Sequence, residues 1–306
     1  EPDQLIIVSG SLQSLYLISS VLINKGDAVI LENPTFPNAH SIFKSALANL
    51  IPVPIDNEGI NIEEIKKWKT LNPKLVHVTP SNHYPLGIKM SLKRKKELIK
   101  WASENKALII ENDYENEVNS NQGINPTIYS LDTEDRTIYL GTFNRLLHPT
   151  IRLGYMIVPK YLIKTIEAIQ EHSHKFVSPS IQMVMSQFIE KNYLYQHLKN
   201  INKVAQEREA LFIALFNANT TKMAIEKKPY SSLHLLAIFK EKVDKKMEFE
   251  IIQSLSKANI IVHSLSGCYI AKEKQQGLIF GYSSVRPTII RQKVLQMTEI
   301  INELLE

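Results

Sequence analysis

Two arginines seven residues apart, Arg145 and Arg152, lie in the stretch YLGTFNRLLHPTIRLGY at residues 139–155. A guanidinium group is planar and charged at physiological pH, and it suits the paired oxygens of a carboxylate or a phosphate. Asn144, next to Arg145, adds an amide that can donate and accept hydrogen bonds. Apolar runs precede and follow this stretch, so both arginines are predicted to lie in a loop between two strands. The pattern indicates an anion-binding loop.

Four other loops carry polar or aromatic side chains directly after a predicted strand. The first, SGSLQS at residues 9–14, opens a helix, so its backbone N–H groups and positive dipole end favour an anion. A simple capped turn has the same pattern. The other three loops contribute Phe36 in NPTFP, Asn82, His83 and Tyr84 in TPSNHYPLG, and Asp113 and Glu115 in ENDYENE. Phe36 also suits a core, and Asp113 and Glu115 also suit solvated turns.

Seven short apolar runs in the first half of the chain alternate with helical patterns, which is typical of a mostly parallel sheet covered by helices. The predicted strands cover residues 5–8, 28–32, 50–55, 75–79, 107–111, 137–141 and 154–158. Helices are predicted from residue 11 to a stop at Gly26 and after an N-cap at Ser91. Ligands of such sheets bind beyond the carboxyl ends of the strands, where these loops lie.

After about residue 160 the pattern changes to longer helices and then to a second, smaller α+β region. Helices are predicted over residues 160–174, 179–195, 197–217 and 245–258, with a closing helix from Thr288. Strands are predicted over residues 231–239, 260–266 and 277–283. We therefore predict a large domain at residues 1–198 and a small C-terminal α+β domain at residues 199–306.

Composition narrows the class of protein. The 306 residues are 44% hydrophobic, and 36 basic against 31 acidic residues leave a charge of +5, too diffuse to indicate a nucleic-acid surface. The single cysteine, Cys268, excludes an internal disulfide and a cysteine-only metal cluster. No apolar run approaches the roughly 18 residues of a membrane span. The charged opening EPDQ is not typical of a signal sequence, and we expect a cytoplasmic protein without metal or membrane contact. We also expect an excised fragment, because position 1 is not Met and the chain enters a strand abruptly.

Taken in order, the motifs resemble fold type I pyridoxal-phosphate enzymes of the aminotransferase class I/II group. Within that group the chain is similar to the aminotransferase-like domain of MocR/GabR-type regulators of the GntR superfamily. The phrases that carry the resemblance are SGSLQSLYL, LENPTFP, VTPSNHYPLGIKMSLKRKKELIKWA, LIIENDYENE, IYLGTFNRLLHPTIRLGYMIVP, SSLHLLAIF, VHSLSGCY and LIFGYSS. The resemblance implies pyridoxal phosphate as cofactor, a homodimer, and DNA binding through a winged helix-turn-helix domain upstream of this fragment.

The resemblance also implies a role for particular residues. The cofactor phosphate would be held by Gly10, Ser11, Leu12, Gln13 and Arg152. Phe36 would stack on the pyridine ring, and Tyr114 would hydrogen-bond the ring hydroxyl. The rest of the predicted ligand-binding set is Asn82, His83, Tyr84, Asn112, Asn144 and Arg145. His77 and His234 lie inside predicted strands and are interpreted as packed core residues.

Two positions depart from the family's pattern, and both carry its chemistry. The aspartate that pairs with the protonated pyridine nitrogen is replaced by Asn112, which has no charge to hold that proton. Asp113 is adjacent, but neighbours at a strand end point to opposite faces. The Schiff-base lysine, seven residues before the phosphate arginine, is replaced by Arg145. Because its pKa is about 12.5 or higher, an arginine is almost never neutral at pH 7 and cannot attack an aldehyde.

Three hypotheses follow. The leading one is an effector-binding domain of a transcription regulator, which takes a small anion, an amino acid or a phosphate ester, without covalent catalysis. The second is an active pyridoxal-phosphate-dependent aminotransferase that recruits another base. The third is a purely structural dimerisation module. For Arg145 itself, the alternative to an anion clamp is an ion pair with Asp113 or Glu115 that stabilises an empty cleft.

Overall fold

A computed structural model describes residues 2–115, 125–173, 177–228, 232–272 and 275–306 of the chain. Its internal contacts divide the protein into two compact units. The large unit comprises Glu1–Tyr84 and Ile88–Tyr195, and the small unit comprises Pro85–Gly87 and Gln196–Glu306. The predicted domain boundary at residues 198 and 199 stays a prediction. In these described ranges, no helix is both long enough and apolar enough to cross a membrane.

The large unit is built on an eight-stranded, mostly parallel sheet, which confirms the predicted α/β fold. Its strands are β1 (Leu5–Val8), β2 (Ala28–Asn33), β3 (Asn49–Asp56), β4 (Gly59–Ile60), β5 (Leu75–Val78), β6 (Leu108–Asn112), β7 (Thr137–Thr142) and β8 (Gly154–Ile157). They lie in the order β1-β8-β7-β6-β5-β2-β3-β4. The pairs from β7 to β3 are parallel, whereas β8 is antiparallel to both its neighbours and β4 is antiparallel to β3.

All seven predicted strands are present, but the count of seven was wrong. The extra strand, β4, has two residues, which are too few to show an alternating pattern in the sequence. The central strands read as continuous apolar runs because helices cover both faces of a parallel sheet. Every residue of β2 and β5 is buried. This burial leaves the strand ends as the places where polar side chains can meet a ligand.

The helices of the large unit are α1 (Ser11–Leu22), α2 (Pro37–Ser45), α3 (Ile62–Lys66), α4 (Leu92–Asn105), α5 (Ile128–Leu131), α6 (Ile163–Ser173) and α7 (Pro179–Glu190). The side chain of Ser91 accepts the N–H of Arg94 at 3.1 Å and so caps α4, as a serine at an N-cap does. The predicted stop of α1 at Gly26 was wrong. The helix ends at Leu22, because Ile23 already has an extended backbone.

The small unit carries a four-stranded antiparallel sheet and the C-terminal helices. Helix α8 (Tyr193–Asn219) leads into β9 (Met223–Ile225), β10 (His234–Phe239), α9 (Lys245–Lys257), β11 (His263–Ser264), β12 (Gly277–Gly281) and α10 (Pro287–Leu304). The strand order is β11-β12-β10-β9. A core of apolar side chains, including Phe212, Phe216 and Phe280, packs between the sheet and the helices.

Two details of the predicted small domain were wrong. Strand β9 was not predicted, since three residues give no periodic signal. The run at residues 260–266 forms only the two-residue β11, because Ser266–Cys268 turns into a 3₁₀ helix directly after it. The run at residues 231–239 gives β10 from His234 onward, and its first residue lies outside the described ranges.

Candidate functional site

The loop between β1 and α1 contains the residues predicted to hold a phosphate. Gly10 is the N-cap of α1 and has a φ of 138°, a backbone conformation that favours glycine. The side chain of Gln13 turns back and accepts the N–H of Ser9 at 2.6 Å. The first backbone N–H groups of α1 have no carbonyl partner within the helix. The loop therefore presents the positive end of a twelve-residue helix.

Arg152 lies next to this loop. Its Nη2 donates to the hydroxyl of Ser9 at 3.5 Å, and its backbone has a left-handed φ of 52°. An open cleft of about 520 Å³ runs beside the pair. Its lining is Ser9, Leu12, Gln13, Tyr16, Asn38, Ser41, Ile42 and Arg152. The structure thus brings Arg152 together with Leu12 and Gln13 of the predicted phosphate site.

The side chain of Asn144 links the loop after β1 to the start of β8 by hydrogen bonds. Its Nδ2 donates to the carbonyl of Ser9 at 2.8 Å, and its Oδ1 accepts the N–H of Leu153 at 2.9 Å. A Cβ on Gly10 would lie 2.6 Å from Asn144 Nδ2, so the loop comes too close for any side chain at that position. The amide of Asn144 therefore joins the end of β1, the end of β7 and the start of β8. This geometry makes Asn144 a support of the site.

Arg145 forms an ion pair with Glu115. Its Nε and Nη2 donate to the same oxygen, Oε1, at 3.0 and 2.7 Å. The side chain of Glu115 is fully buried, whereas 39% of the Arg145 side chain is exposed. Asn82 Nδ2 donates to Oε2 of Glu115, and the Arg145 guanidinium lies 5.8 Å from the ring centroid of Tyr114. Of the two partners considered for Arg145, the structure has Glu115.

Tyr114 and Asp113 occupy separate hydrogen-bond networks. The Tyr114 hydroxyl donates to the backbone carbonyl of Asn82 at 2.6 Å. Burial, with a smaller effect of the Glu115 charge, raises the pKa of Tyr114 well above its usual value, so the phenol stays protonated. Asp113 accepts from the hydroxyl of Ser81 and from that of Tyr139, the latter at 3.1 Å. The Asp113 carboxylate is therefore already engaged by neighbouring donors.

Asn112 contacts His77 of the neighbouring strand. Nδ2 of Asn112 lies 3.2 Å from Nε2 of His77, and both side chains are buried. Burial lowers the pKa of His77 to about 4, so the imidazole is neutral at pH 7. In the described part of the chain, Asn112 Oδ1 and His77 Nδ1 have no hydrogen-bond partner. A buried polar atom without a partner is costly and rare, which makes this pair unusual.

A second buried acid lies at the end of β2. Glu32 accepts the backbone N–H and the hydroxyl of Thr79 at 3.1 and 2.9 Å, and its Oε2 lies 3.6 Å from His83 Nε2. Burial raises the pKa of Glu32 to about 8, although the bonds from Thr79 oppose the shift. Phe36 is half-buried, and its ring meets the ring of Tyr84 edge-on at 5.7 Å.

Comparison with known families identifies the fold that carries these residues. Residues 1–276 match the family Aminotransferase class I and II. The chain belongs to this aminotransferase family. The predicted membership is confirmed, and so is the resemblance to MocR-type regulators. Members of the aminotransferase family usually bind pyridoxal phosphate.

Two transcription regulators are among the relatives of this aminotransferase-family chain. It is 29% identical over 299 residues to the HTH-type transcriptional regulator YdeL of Bacillus subtilis, covering 97% of this chain and 62% of that protein. It is 28% identical over 294 residues to the probable rhizopine catabolism regulatory protein MocR of Rhizobium meliloti, covering 96% and 58%. The chain therefore spans about three fifths of the length of these regulators.

Solved aminotransferases share the fold. Kynurenine aminotransferase from Pyrococcus horikoshii superposes with a TM-score of 0.88 at 26% identity, covering 99% of this chain and 76% of that one. LysN, the α-aminoadipate aminotransferase of Thermus thermophilus, gives a TM-score of 0.89 at 20% identity, covering 100% and 78%. The second likeness concerns the fold alone, which is the fold type I arrangement predicted for this aminotransferase-family chain.

Several features of this chain fit the aminotransferase cofactor without a covalent link. Among the residues that the structure describes, the buried Oδ1 of Asn112 has no hydrogen-bond partner, and the loop at Gly10 approaches β8 too closely for a side chain. Residues 10–13 with Arg152 would hold the phosphate, and Phe36 and Tyr114 would meet the ring. When bound, pyridoxal phosphate supplies an electron-withdrawing ring and an aldehyde. Arg145 offers that aldehyde no neutral amine.

The sequence did not point to two of the buried groups. Glu32 was not singled out, although an acid that closes the apolar run AVILE is a signal for a buried carboxyl group. His77 was interpreted as a packed core residue. It is buried, but it also holds Asn112, and the alignment of β5 with β6 was the missing information, since His77 pairs with Ile110. Asn112 follows two residues later and so lies on the same face.

Proposed function

We propose that this chain is the effector-binding and dimer-forming domain of a transcription regulator. It binds a small anionic ligand, an amino acid or a phosphate ester such as pyridoxal phosphate, and it makes no covalent bond with that ligand. The observation that carries the proposal is the ion pair between Arg145 and Glu115, at the position where the family's lysine is expected. A guanidinium held by a buried carboxylate keeps its charge and cannot act as a nucleophile.

The same ion pair leaves Arg145 able to bind an anion. Glu115 takes the Nε and Nη2 donors, and no hydrogen bond among the described residues engages Nη1. Because 39% of the side chain is exposed, the N–H groups of Nη1 can reach a ligand carboxylate while Glu115 fixes the guanidinium plane. Glu115 therefore acts as a support that orients Arg145.

The phosphate end of the site supports an anionic ligand independently. Arg152 and the N-terminus of α1 lie on the same open cleft, and each favours a phosphate dianion. The two arginines carry positive charge toward the predicted ligand at two separated points. A phosphate ester or an amino acid offers a matching anion.

The regulatory part of the proposal comes from the relatives. YdeL and MocR are named as transcription regulators, and this chain covers about three fifths of each. In a protein of that length, contact with DNA belongs to a segment outside the matched region. Ligand binding by this domain would then change the arrangement of a homodimer and, through it, the DNA-binding segment.

The test combines mass spectrometry with melting temperature. The protein is incubated with pyridoxal phosphate and reduced with borohydride, and its peptides are searched for a phosphopyridoxyl group on lysine. We expect no stoichiometric adduct on a lysine of the cleft beside Phe36, Tyr114 and Arg152, and a saturable rise of the melting temperature with pyridoxamine phosphate. Arg152→Gln should lose that rise, whereas the exposed Arg291→Gln on α10 should keep it.

Two outcomes would contradict the proposal. A stoichiometric lysine adduct in that cleft, together with amino-group transfer from an amino acid, would favour an active aminotransferase. A melting temperature that no phosphate ester or amino acid changes would favour a purely structural dimerisation module.

A further inference from the structure

The buried pair formed by His77 and Asn112 has hydrogen-bonding capacity that the protein itself does not use. Asn112 Nδ2 contacts His77 Nε2 at 3.2 Å, while Asn112 Oδ1 and His77 Nδ1 find no partner in the described part of the chain. The exposed fractions of the two residues are 3% and 0%, so water does not satisfy these atoms from the surface. A buried amide oxygen without a hydrogen-bond partner destabilises the folded protein, and a ligand that supplies the partner removes this cost.

Among the described residues, no carboxylate is hydrogen-bonded to Asn112 or His77. Glu111 accepts the backbone N–H groups of Ile128 and Tyr129 at 2.8 Å each, and so caps α5. Asp113 accepts from two hydroxyl groups, and Glu32 is bonded to Thr79. The pair itself therefore offers a ligand an amide and an imidazole, and neither group is charged at pH 7.

We propose that His77 and Asn112 form a neutral pair that binds an aromatic ligand through an uncharged ring nitrogen. Asn112 donates an N–H group to the lone pair of a pyridine-type nitrogen, and His77 holds the amide in the orientation that allows it. Asn112 is the specificity-determining residue and His77 is its positioning residue. The inference rests on the proposed function only in requiring that the site between Phe36, Tyr114 and Arg152 receives a ligand.

For Asn112 to donate to a ligand, the amide of Asn112 must turn and the proton on the His77 ring must be on Nε2. For Nδ2 to face the ligand, the amide turns so that Oδ1 accepts a hydrogen bond from Nε2–H of His77. A neutral imidazole provides this donor when its proton sits on Nε2. No other group of the described residues is hydrogen-bonded to Nδ1, and only the backbone of His77 itself favours a proton on the ring nitrogen near it. Ligand binding must therefore select the tautomer with its proton on Nε2.

The first experiment reads the protonation state of the bound ring. Pyridoxine 5′-phosphate, which has no aldehyde, is labelled with ¹⁵N at the ring, and its chemical shift is measured in the complex at neutral pH. We expect the shift of an unprotonated pyridine in the wild-type protein. In Asn112→Asp the carboxylate should hold a proton on the ring and move the shift to that of a pyridinium. A pyridinium in the wild-type protein, or one shift for both proteins, would overturn the proposal.

The second experiment tests the role of His77. Affinity is compared for pyridoxine 5′-phosphate and for the analogue in which a benzene ring replaces the pyridine. One hydrogen bond should give a preference of about tenfold for the pyridine in the wild-type protein. His77→Phe should reduce this preference to about one. Asn112→Leu, which removes the hydrogen-bond donor itself, should also reduce it to about one, and it replaces His77→Phe if that variant does not fold.

Phe43→Leu is the matched control, since the Phe43 ring packs 6.3 Å from the His77 ring without a hydrogen bond. It should weaken both analogues equally and keep the preference. A preference that survives His77→Phe would overturn the positioning role. If neither analogue binds, the inference fails, and the proposed function is judged separately by whether another phosphate ester or an amino acid raises the melting temperature.

Discussion

The guanidinium of Arg145 donates twice to a single carboxylate oxygen of Glu115, from Nε at 3.0 Å and from Nη2 at 2.7 Å. The two partners differ in environment, because Glu115 is fully buried and Arg145 reaches solvent. A buried charge depends on its partner far more than an exposed one does. This asymmetry determines how the site responds to substitution at either position.

Restoring a lysine at position 145 should not by itself restore covalent binding. In Arg145→Lys the new ammonium would pair with Glu115, and an opposite charge at that distance favours the protonated amine. The double variant Arg145→Lys/Glu115→Gln removes the pairing carboxylate, and it should form at least about tenfold more phosphopyridoxyl-lysine after borohydride reduction. Mass spectrometry of the peptide that contains residue 145 measures the difference. Equal labelling of the two variants would contradict the explanation, and Arg291→Lys controls for labelling of an added surface lysine.

Removing the exposed partner of the pair should cost more than removing the buried one. Arg145→Met leaves the carboxylate of Glu115 buried without its cation, and we expect a loss of about 2–4 kcal/mol in the free energy of unfolding. Glu115→Gln leaves an arginine that reaches water, and we expect about 1–2 kcal/mol. The double variant should be more stable than Arg145→Met alone. Urea unfolding measures all three, and the opposite order of the single variants would refute the asymmetry.

Glu32 should make the protein less stable as the pH rises. Burial raises the pKa of Glu32 to about 8, so the folded protein keeps a proton that the unfolded chain releases above its ordinary pKa of 4.5. The stabilisation is complete below pH 4.5 and is lost as the pH rises towards 8, by at most about 1.4 kcal/mol per pH unit.

Glu32→Gln keeps a neutral group at that position and should flatten this part of the dependence. The variant is expected to gain stability relative to the wild-type protein between about pH 5 and 8, where the linkage acts. Burial also raises the pKa of Glu111, to about 7, so the difference between the two proteins is the informative quantity. Urea unfolding between about pH 5 and 8 measures this difference in stability, and Glu104→Gln, at an exposed position, is the control. Parallel curves for Glu32→Gln and the wild-type protein would show that Glu32 is ionised in the folded state.

Alanine substitutions at Gly10 and Gly26 distinguish the cost of backbone strain from the cost of a steric clash. Both have a positive φ, of 138° and 88°, but a Cβ on Gly26 would meet no atom within 4 Å, whereas one on Gly10 would meet Asn144. Gly26→Ala should cost about 1 kcal/mol through strain alone. Gly10→Ala should cost more, about 2–3 kcal/mol, and should also weaken the response of the melting temperature to phosphate esters. Equal costs would show that the loop moves away from Asn144 freely.

Much of the large sheet could be predicted from the sequence because its strands are fully buried. A strand covered on both faces is a continuous run of Val, Ile and Leu, and β2 and β6 show this pattern. Strands of two or three residues, β4, β9 and β11, carry no such signal. Whether these short strands form depends on which backbone N–H and C=O groups of the neighbouring strands are available for hydrogen bonding.

The sequence indicated candidate residues for the site, but it did not indicate which of their side chains contact one another. The loops after the strands supplied Asn112, Arg145 and Arg152 as residues of interest. Their partners depend on the alignment of strands that lie far apart in the sequence. His77 and Asn112 are 35 residues apart and meet only because β5 and β6 are neighbours in a particular register. Sequence periodicity fixes the face of each residue, but it does not fix the neighbour across the sheet.

The two positions at which the sequence departs from the pattern of the family it resembles lie at strand ends, since Asn112 is the last residue of β6 and Arg145 follows β7 by three residues. In the genetic code, a single purine transition converts a lysine codon to an arginine codon, and another converts an aspartate codon to an asparagine codon. A lysine gained in this way at position 145 would still be paired with Glu115, so the codon changes at positions 112 and 145 would not by themselves supply a neutral amine. A mutational path from ligand binding to covalent chemistry would therefore have to pass through position 115 as well, which makes the partner of Arg145 a third barrier to that change.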